Sequence, residues 1–379
     1  MIPYGRQSIT EDDIGSVVEI LNSDFLTQGP TVEKFERVVA QYVNAKQAVS
    51  VCNATAALHL ACRALDLGPN DYLWTSPNTF LASSNCALYC GAKVDFVDID
   101  SKTLNMSPEL LAEKLEIAAK KNKLPKIVVP VHFSGASCDM EKIAKLSEKY
   151  GFFVIEDASH AIGANYKNSK VGSCLYSDIT VFSFHPVKII TTGEGGMALT
   201  NNLKLYKKMQ LLRSHGMTRN PDEMTKESEG DWYYQQIGLG YNYRLTDIQA
   251  TLGLSQLQRI EKFIERRRYL AKQYHAKLSH LPIILPLHSI LNDSSWHLYV
   301  IQTKNRQKVF STLREAGIGV NVHYIPVHMQ PYYQKMGFKM GDFPNAEYYY
   351  SRAITLPLHY GLSAENQDYI VQKLMDSLS

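Results

Sequence analysis

The sequence predicts an α/β protein: a mostly parallel central sheet followed by a smaller C-terminal α+β part. Three observations carry this prediction. Short apolar runs alternate with stretches of helical period through about the first 200 residues, as expected of strands joined by covering helices. That alternation fades in the remainder of the chain. The length, 379 residues, exceeds what one ordinary core holds and suits two domains, which we place at 1–245 and 246–379.

The elements follow in order. Thr10 is a good N-cap, Glu11, Asp12 and Asp13 suit a first helical turn, and Ile14, Val17, Val18 and Leu21 recur at helical spacing. The loop Leu26-Thr27-Gln28-Gly29-Pro30 separates this helix from a second amphipathic one through Phe35 and Val39. Strands are predicted over 48–52, 93–98, 127–133, 152–157, 179–184 and 196–200. Helices are predicted over 56–65, 79–90 and 140–150. The polar stretch 218–230 reads as a mobile insertion. One long helix is expected from Thr246 through the basic run Arg266-Arg267-Arg268, taken as a solvated face because nothing glycine-rich accompanies it. A strand over 297–303 and a helix over 307–316 follow.

Composition excludes several classes. A net charge of +3 without a block of like sign gives no footprint for nucleic acid. No apolar run is long enough to span a bilayer, and the N-terminus lacks a basic-then-apolar leader. The six cysteines show neither a CxxC pair nor a zinc spacing and read as buried free thiols. A cytoplasmic enzyme is expected.

The strongest chemical signal is Ser183-Phe-His185-Pro-Val-Lys188, with Thr191-Thr-Gly-Glu-Gly-Gly196 behind it. Lysine is the side chain able to form a Schiff base, and it must be neutral to attack. A lone lysine beside a tight turn is most simply a surface residue; the flanking Ser-Phe-His and Gly-Glu-Gly-Gly sequences point to chemistry instead. Glu156-Asp157-Ala-Ser-His160 ends an apolar strand, where open α/β sheets bind ligands. An aspartate there can keep a pyridine nitrogen protonated, although capping a helix is as good an explanation of this motif alone. His160 reads either as a cofactor contact or as a core histidine. Asn53-Ala54-Thr55 opens a helix after a strand, a place for a phosphate or merely for close packing. Phe80 is placed to lie flat on a cofactor ring, or else is an ordinary core residue. His323 and His328 lack a third ligand and a helical i, i+4 spacing, so we expect no metal.

Taken in order, these motifs resemble the sugar aminotransferases of the DegT/DnrJ/EryC1/StrS family. The resemblance runs from about Gly5 to the final helix, and includes Thr27–Pro30, Gly91–Asp100, Gly240-Tyr-Asn-Tyr-Arg244 and Gly253–Leu257. It implies the fold type I (aspartate-aminotransferase-like) architecture. It also implies pyridoxal 5′-phosphate carried covalently on Lys188 and alternating with pyridoxamine phosphate. By the same resemblance Asp157 is the ring-nitrogen partner, His160 lies near the phenolic oxygen, and Phe80 covers the ring. Ala54, Thr55 and Ser183 form the phosphate cup, and Asn242 reaches the phosphate from the other subunit of a homodimer.

Stretches such as Leu26–Gly29, His185–Lys188, Arg213–Met217 and Val322–Pro326 most resemble the branch that aminates a UDP-linked 4-keto-6-deoxy sugar on the way to pseudaminic acid. L-Glutamate is the implied donor. That branch places Tyr4, Leu26, Thr27, Gln28, Gly29, His185, Asn321, Val322, His323 and Tyr324 around the substrate. We add His328 as a candidate substrate contact. Ile189 departs from the pattern, since relatives usually carry proline after the lysine. A nicotinamide-dependent sugar oxidoreductase would need a GxGxxG after the first strand, where this chain has Asn53-Ala54-Thr55. A non-catalytic regulator of the same fold is disfavoured by the intact Lys188, Asp157 and Ser183.

Overall fold

The computed structural model describes residues 1–287 and 293–378. Its frame is a seven-stranded sheet formed by β1 (Gln47–Val51), β2 (Tyr72–Thr75), β3 (Lys93–Phe96), β4 (Ile127–Val129), β5 (Phe153–Asp157), β6 (Ile179–Ser183) and β7 (Gly196–Thr200). The strand order is β1-β7-β6-β5-β4-β2-β3. The pairs β2–β3, β2–β4, β4–β5 and β5–β6 are parallel, whereas β7 pairs antiparallel with both β1 and β6. Two reversals cancel, so β1 runs in the same sense as β6, and only β7 opposes the rest. The carboxyl ends of β1, β5 and β6 therefore open on one side, which is where this architecture binds ligands.

Helix α1 (Glu11–Leu21) precedes the sheet, and α2 (Pro30–Val43), α3 (Ala54–Ala64), α4 (Ala82–Tyr89), α5 (Pro108–Lys120), α6 (Met140–Tyr150) and α7 (Leu203–Arg213) connect and cover it. One core packs Leu58, Leu60 and Cys62 of α3 with Cys86 of α4 against Ile127, Ile155 and Val181. Another packs Phe35 and Val39 of α2 with Phe182 and Leu199. The sequence missed β2, only four residues long, and α5. The run expected as a strand over 127–133 stops at Val129, because Pro130 has no N–H for the ladder.

Two further corrections concern the second half. The long helix expected from Thr246 is two helices, α8 (Asp247–Leu257) and α9 (Ile260–Leu278). Arg267 is 2% exposed, not solvated: Nη1 donates to the carbonyls of Trp296 (3.0 Å), His297 (3.3 Å) and Leu358 (3.0 Å). Its neighbours follow, with Arg266 donating to Leu362 O and Arg268 Nε to Ser294 O. The basic run is thus a clamp from α9 onto the C-terminal part. That part contains the antiparallel pair β8 (Tyr299–Gln302) and β9 (Ala353–Leu356), α10 (Arg306–Glu315) and the final helix α11 (Ala364–Leu378). Their core joins Leu270 and Tyr274 of α9 to Tyr299, Ile354 and Ile370.

The first helix forms as expected, with a capping box between Thr10 and Asp13. What it buries is unexpected. Asp13 is the buried residue of α1, receiving Ser255 Oγ (2.6 Å), Gln256 Nε2 (2.8 Å) and Arg259 Nη2 (2.5 Å). The apolar Ile14, Val18 and Leu21 are 49%, 48% and 55% exposed.

Candidate active site

The lysine loop is built by its own backbone. Phe184 N donates to Gly195 O (2.9 Å) and Thr192 N to Phe184 O (3.0 Å), which draws the Gly-Glu-Gly-Gly turn under the end of β6. Lys188 N donates to His185 O (2.9 Å), while Ile189 and Ile190 are buried and anchor the segment. Gly196 is required by contact: a Cβ there would stand 2.5 Å from Ala54 N and 2.6 Å from Asn53 O. Its absence lets the β1–α3 turn close against the sheet, where Asn53 caps α3 by accepting from Ala56 N (2.8 Å).

These elements surround a cavity of about 590 Å³. Lys188, Asp157, His160 and Ser183 line it, as do Ala54 and Thr55 at the N-terminus of α3. Phe80 is on the wall and 59% exposed, which disposes of the ordinary-core alternative. His185 and the segment Asn321, Val322, His323 and Tyr324 complete the lining together with Tyr4. Tyr4 arrives from the chain's far end because the N-terminal segment is stitched to the C-terminal part. Ile2 N donates to Gly317 O (2.8 Å), Gly319 N to Ile2 O (2.7 Å) and Leu358 N to Tyr4 O (3.0 Å).

Other predicted residues lie elsewhere. His328 is a correction: its buried ring does not line the cavity, and Nε2 pairs with Glu347 Oε1 at 2.9 Å. His323, by contrast, stays in the cavity wall with Nδ1 2.8 Å from Thr355 Oγ1. Among the described residues no group of three or more His, Cys, Asp or Glu is placed to hold a metal. The loop Leu26, Thr27, Gln28 and Gly29 is outside the cavity of the single chain. It is pinned to the start of α8, where Asp247 N donates to Leu26 O (3.0 Å) and Gly29 N to Asp247 Oδ2 (2.8 Å). Asn242 is likewise outside, exposed, and bridged to Ser214.

The electrostatics make the Lys188 amine easier to deprotonate than an ordinary lysine. Burial lowers Lys188 to about 8, against the opposing pull of the Asp157 carboxylate. Burial, then the nearby Lys188, pushes His160 and His297 well below the usual imidazole range and His323 down to about 4, so all three are neutral around the amine. His297 was not foreseen from the sequence. Its ring packs against that of His160, tilted by 47° with centroids 4.3 Å apart, and Arg267 holds its carbonyl.

Behind Asp157, Glu156 is buried. Burial alone would raise its carboxyl, but donors from His132, Ser177 and Thr180 outweigh this and hold it below the usual range. Cys138 N is 3.1 Å from His132 Nδ1, and Nε2 of the same ring pairs with Glu156 Oε2 at 2.7 Å.

The cavity fits pyridoxal phosphate. It is within the size range of cofactor sites. It has an amine whose pKa burial lowers, a carboxylate, an exposed phenyl face and a helix N-terminus suited to phosphate. The buried Nδ1 of His160 has no hydrogen-bond partner among the described residues.

The sequence profile of the DegT/DnrJ/EryC1/StrS aminotransferase family matches residues 7–375. The spore coat polysaccharide biosynthesis protein SpsC of Bacillus subtilis is 41% identical over 384 residues, covering 99% of this chain and 96% of its own. The UDP-4-amino-4,6-dideoxy-N-acetyl-β-L-altrosamine transaminase of Campylobacter jejuni is 36% identical over 388 residues, covering 100% and 98%. Among solved structures, Helicobacter pylori PseC, an aminotransferase involved in the biosynthesis of pseudoaminic acid, superposes with a TM-score of 0.90 at 31% identity. The match covers 100% of this chain and 99% of PseC. The family profile, the relatives and a cavity that fits the cofactor agree: this chain belongs to the DegT/DnrJ/EryC1/StrS aminotransferase family and is a pyridoxal-phosphate-dependent sugar aminotransferase of fold type I.

Proposed function

We propose that the enzyme moves an amino group from L-glutamate to C4 of a UDP-linked 4-keto-6-deoxy sugar, of the kind that precedes pseudaminic acid. The observation that carries this reading is the meeting of Lys188, lowered by burial to about 8, with Asp157 in one cavity at the carboxyl ends of β5 and β6. The transaminase from Campylobacter jejuni and PseC support the acceptor. The 41% identity to SpsC favours a second reading, in which the acceptor is a different nucleotide-linked keto sugar destined for a surface polysaccharide.

Bound pyridoxal phosphate supplies an electron sink for the charge that develops at the donor's α-carbon. The chain supplies the rest. Lys188 would be the covalent anchor and the base that moves the donor's α-proton on one face. Asp157 would keep the ring nitrogen protonated, and neutral His160 would serve the phenolic oxygen. Phe80 would cover the ring, and Ala54, Thr55 and Ser183 would hold the phosphate. Tyr4, His185 and Asn321–Tyr324 position the sugar.

The rest of the site belongs to a partner in this reading: in a homodimer Asn242 reaches the neighbouring phosphate and Leu26–Gly29 the neighbouring sugar. Exposed apolar residues support such a dimer, among them the α1 stripe with Trp232, Tyr234 and Leu239. We place the enzyme in the cytoplasm and its domain boundary near residue 245.

Borohydride reduction followed by peptide mapping tests the anchor, and the label is expected on Lys188. A panel of UDP- and dTDP-4-keto sugars with glutamate tests the acceptor. Product mass and multiple-turnover release of 2-oxoglutarate with the UDP sugar are expected; turnover only with another nucleotide sugar sinks the pseudaminic reading.

A further inference from the structure

We propose that Thr79 and Ser83 form a two-hydroxyl relay that positions the Asp157 carboxylate against the cofactor's ring nitrogen. The proposal rests on the assignment of Asp157 given above. Ser83 lies in the first turn of α4 and is fully buried, yet its hydroxyl does not serve its own helix. Ser83 Oγ donates to Asp157 Oδ2 at 2.6 Å, across 74 residues of sequence. The adjacent Ser84 does what a serine at a helix start ordinarily does, bonding Leu81 O at 3.0 Å.

Thr79 Oγ1, itself buried, is 2.7 Å from Ser83 Oγ. The direction of both bonds follows from proton count. An ionised carboxylate only accepts, so the single Ser83 proton goes to Asp157, and the proton between the hydroxyls must come from Thr79. The chain of donation is therefore Thr79 to Ser83 to Asp157.

The other carboxylate oxygen is held as well, since Ser159 N donates to Oδ1 at 3.1 Å. With both oxygens engaged, the carboxylate plane is fixed before any cofactor arrives, and the remaining lone pairs have a set direction. A hydrogen bond between a pyridinium N–H and a carboxylate is strong only when short and aligned, so a freely rotating carboxylate would hold the ring proton less well. Thr79 and Ser83 are positioning residues in this scheme; neither touches the reacting atoms.

The test uses the holoenzyme loaded with pyridoxal phosphate carrying ¹⁵N in the ring. The readouts are the ring-nitrogen chemical shift and the single-turnover rate with L-glutamate. In Ser83→Ala the shift moves toward the unprotonated value and the half-reaction slows about ten-fold or more, the worth of one hydrogen bond to a charged group. The KM for glutamate stays near that of the wild type. Thr79→Val keeps the shape and removes the proton, so it moves both readouts the same way by less. Thr79→Ser keeps the proton and removes a methyl, so both stay at wild-type values. Thr79→Val unchanged with Thr79→Ser impaired would mean packing and would overturn the relay. Asp157→Asn separates the layers. If its ring shift equals the wild type, the Asp157 assignment has failed. If it moves while Ser83→Ala and Thr79→Val do not, the relay alone has failed.

Discussion

The Tyr324 hydroxyl stands 3.1 Å from Nε2 of His160, joining residues 164 positions apart across the mouth of the cavity. Tyr324 is carried by the segment that follows α10, and Tyr349 holds that segment through His323 O at 2.7 Å. The orientation of a histidine at the end of β5 therefore depends on the C-terminal part of the chain. Tyr324→Phe leaves the ring packing and removes this bond. We expect kcat to fall about three- to ten-fold, the net worth of one hydrogen bond, with the thermal midpoint nearly unchanged. Steady-state kinetics and calorimetry check it; an unaltered kcat would show that His160 does not need the contact.

The lowered Lys188 sets a pH dependence that can be read on the cofactor-free enzyme. Capture of pyridoxal phosphate needs the neutral amine, so its rate should climb as pH rises toward about 8 and level off above. An unperturbed lysine, near 10.4, would keep gaining rate well beyond pH 9. Stopped-flow absorbance across pH 6–10 distinguishes the two. Lys188→Ala should abolish both turnover and the visible absorbance.

Arg267 links α9 to the C-terminal part through three buried carbonyls. Arg267→Met fills similar space but leaves those acceptors without their donor. We expect a loss of about 3 kcal/mol or more in unfolding free energy, read from the denaturant midpoint at unchanged slope. Since Arg267 also holds the His297 carbonyl, the kcat of this variant should drop even where it remains folded.

The proposed dimer yields a complementation test. Lys188→Ala and Asn242→Ala are each expected to be impaired at limiting cofactor. Where Asn242 serves the neighbouring site, a mixed dimer gathers both defects in one site and leaves the other intact. Random mixing then restores about a quarter of wild-type activity, because half the dimers each carry one sound site. No recovery on mixing would place Asn242 in its own subunit's site. Val18→Asp, on the exposed stripe of α1, should shift the sedimenting species from dimer to monomer; an unshifted dimer would remove α1 from the interface.

Local chemistry by itself determined much of this protein. The apolar runs at 179–184 and 196–200, the Ser183–Lys188 and Gly193–Gly196 segments, and Asp157 at a strand's end could all be read in order along the chain. Strand period, turn residues and reactive groups are properties of neighbouring residues. Tertiary structure alone decided which polar groups are buried and what they meet. The same helical stripe is legible in α1 whether Ile14 or Asp13 faces inward, and it is Ser255, Gln256 and Arg259 of a distant segment that select Asp13. Arg267 looked solvated until three carbonyls from 296, 297 and 358 converged on it, and Ser83 was an unremarked helix residue until β5 set Asp157 within 2.6 Å. Burying a polar group is tolerated only where partners satisfy it, and those partners are supplied by the packing of remote segments rather than by the residues beside it.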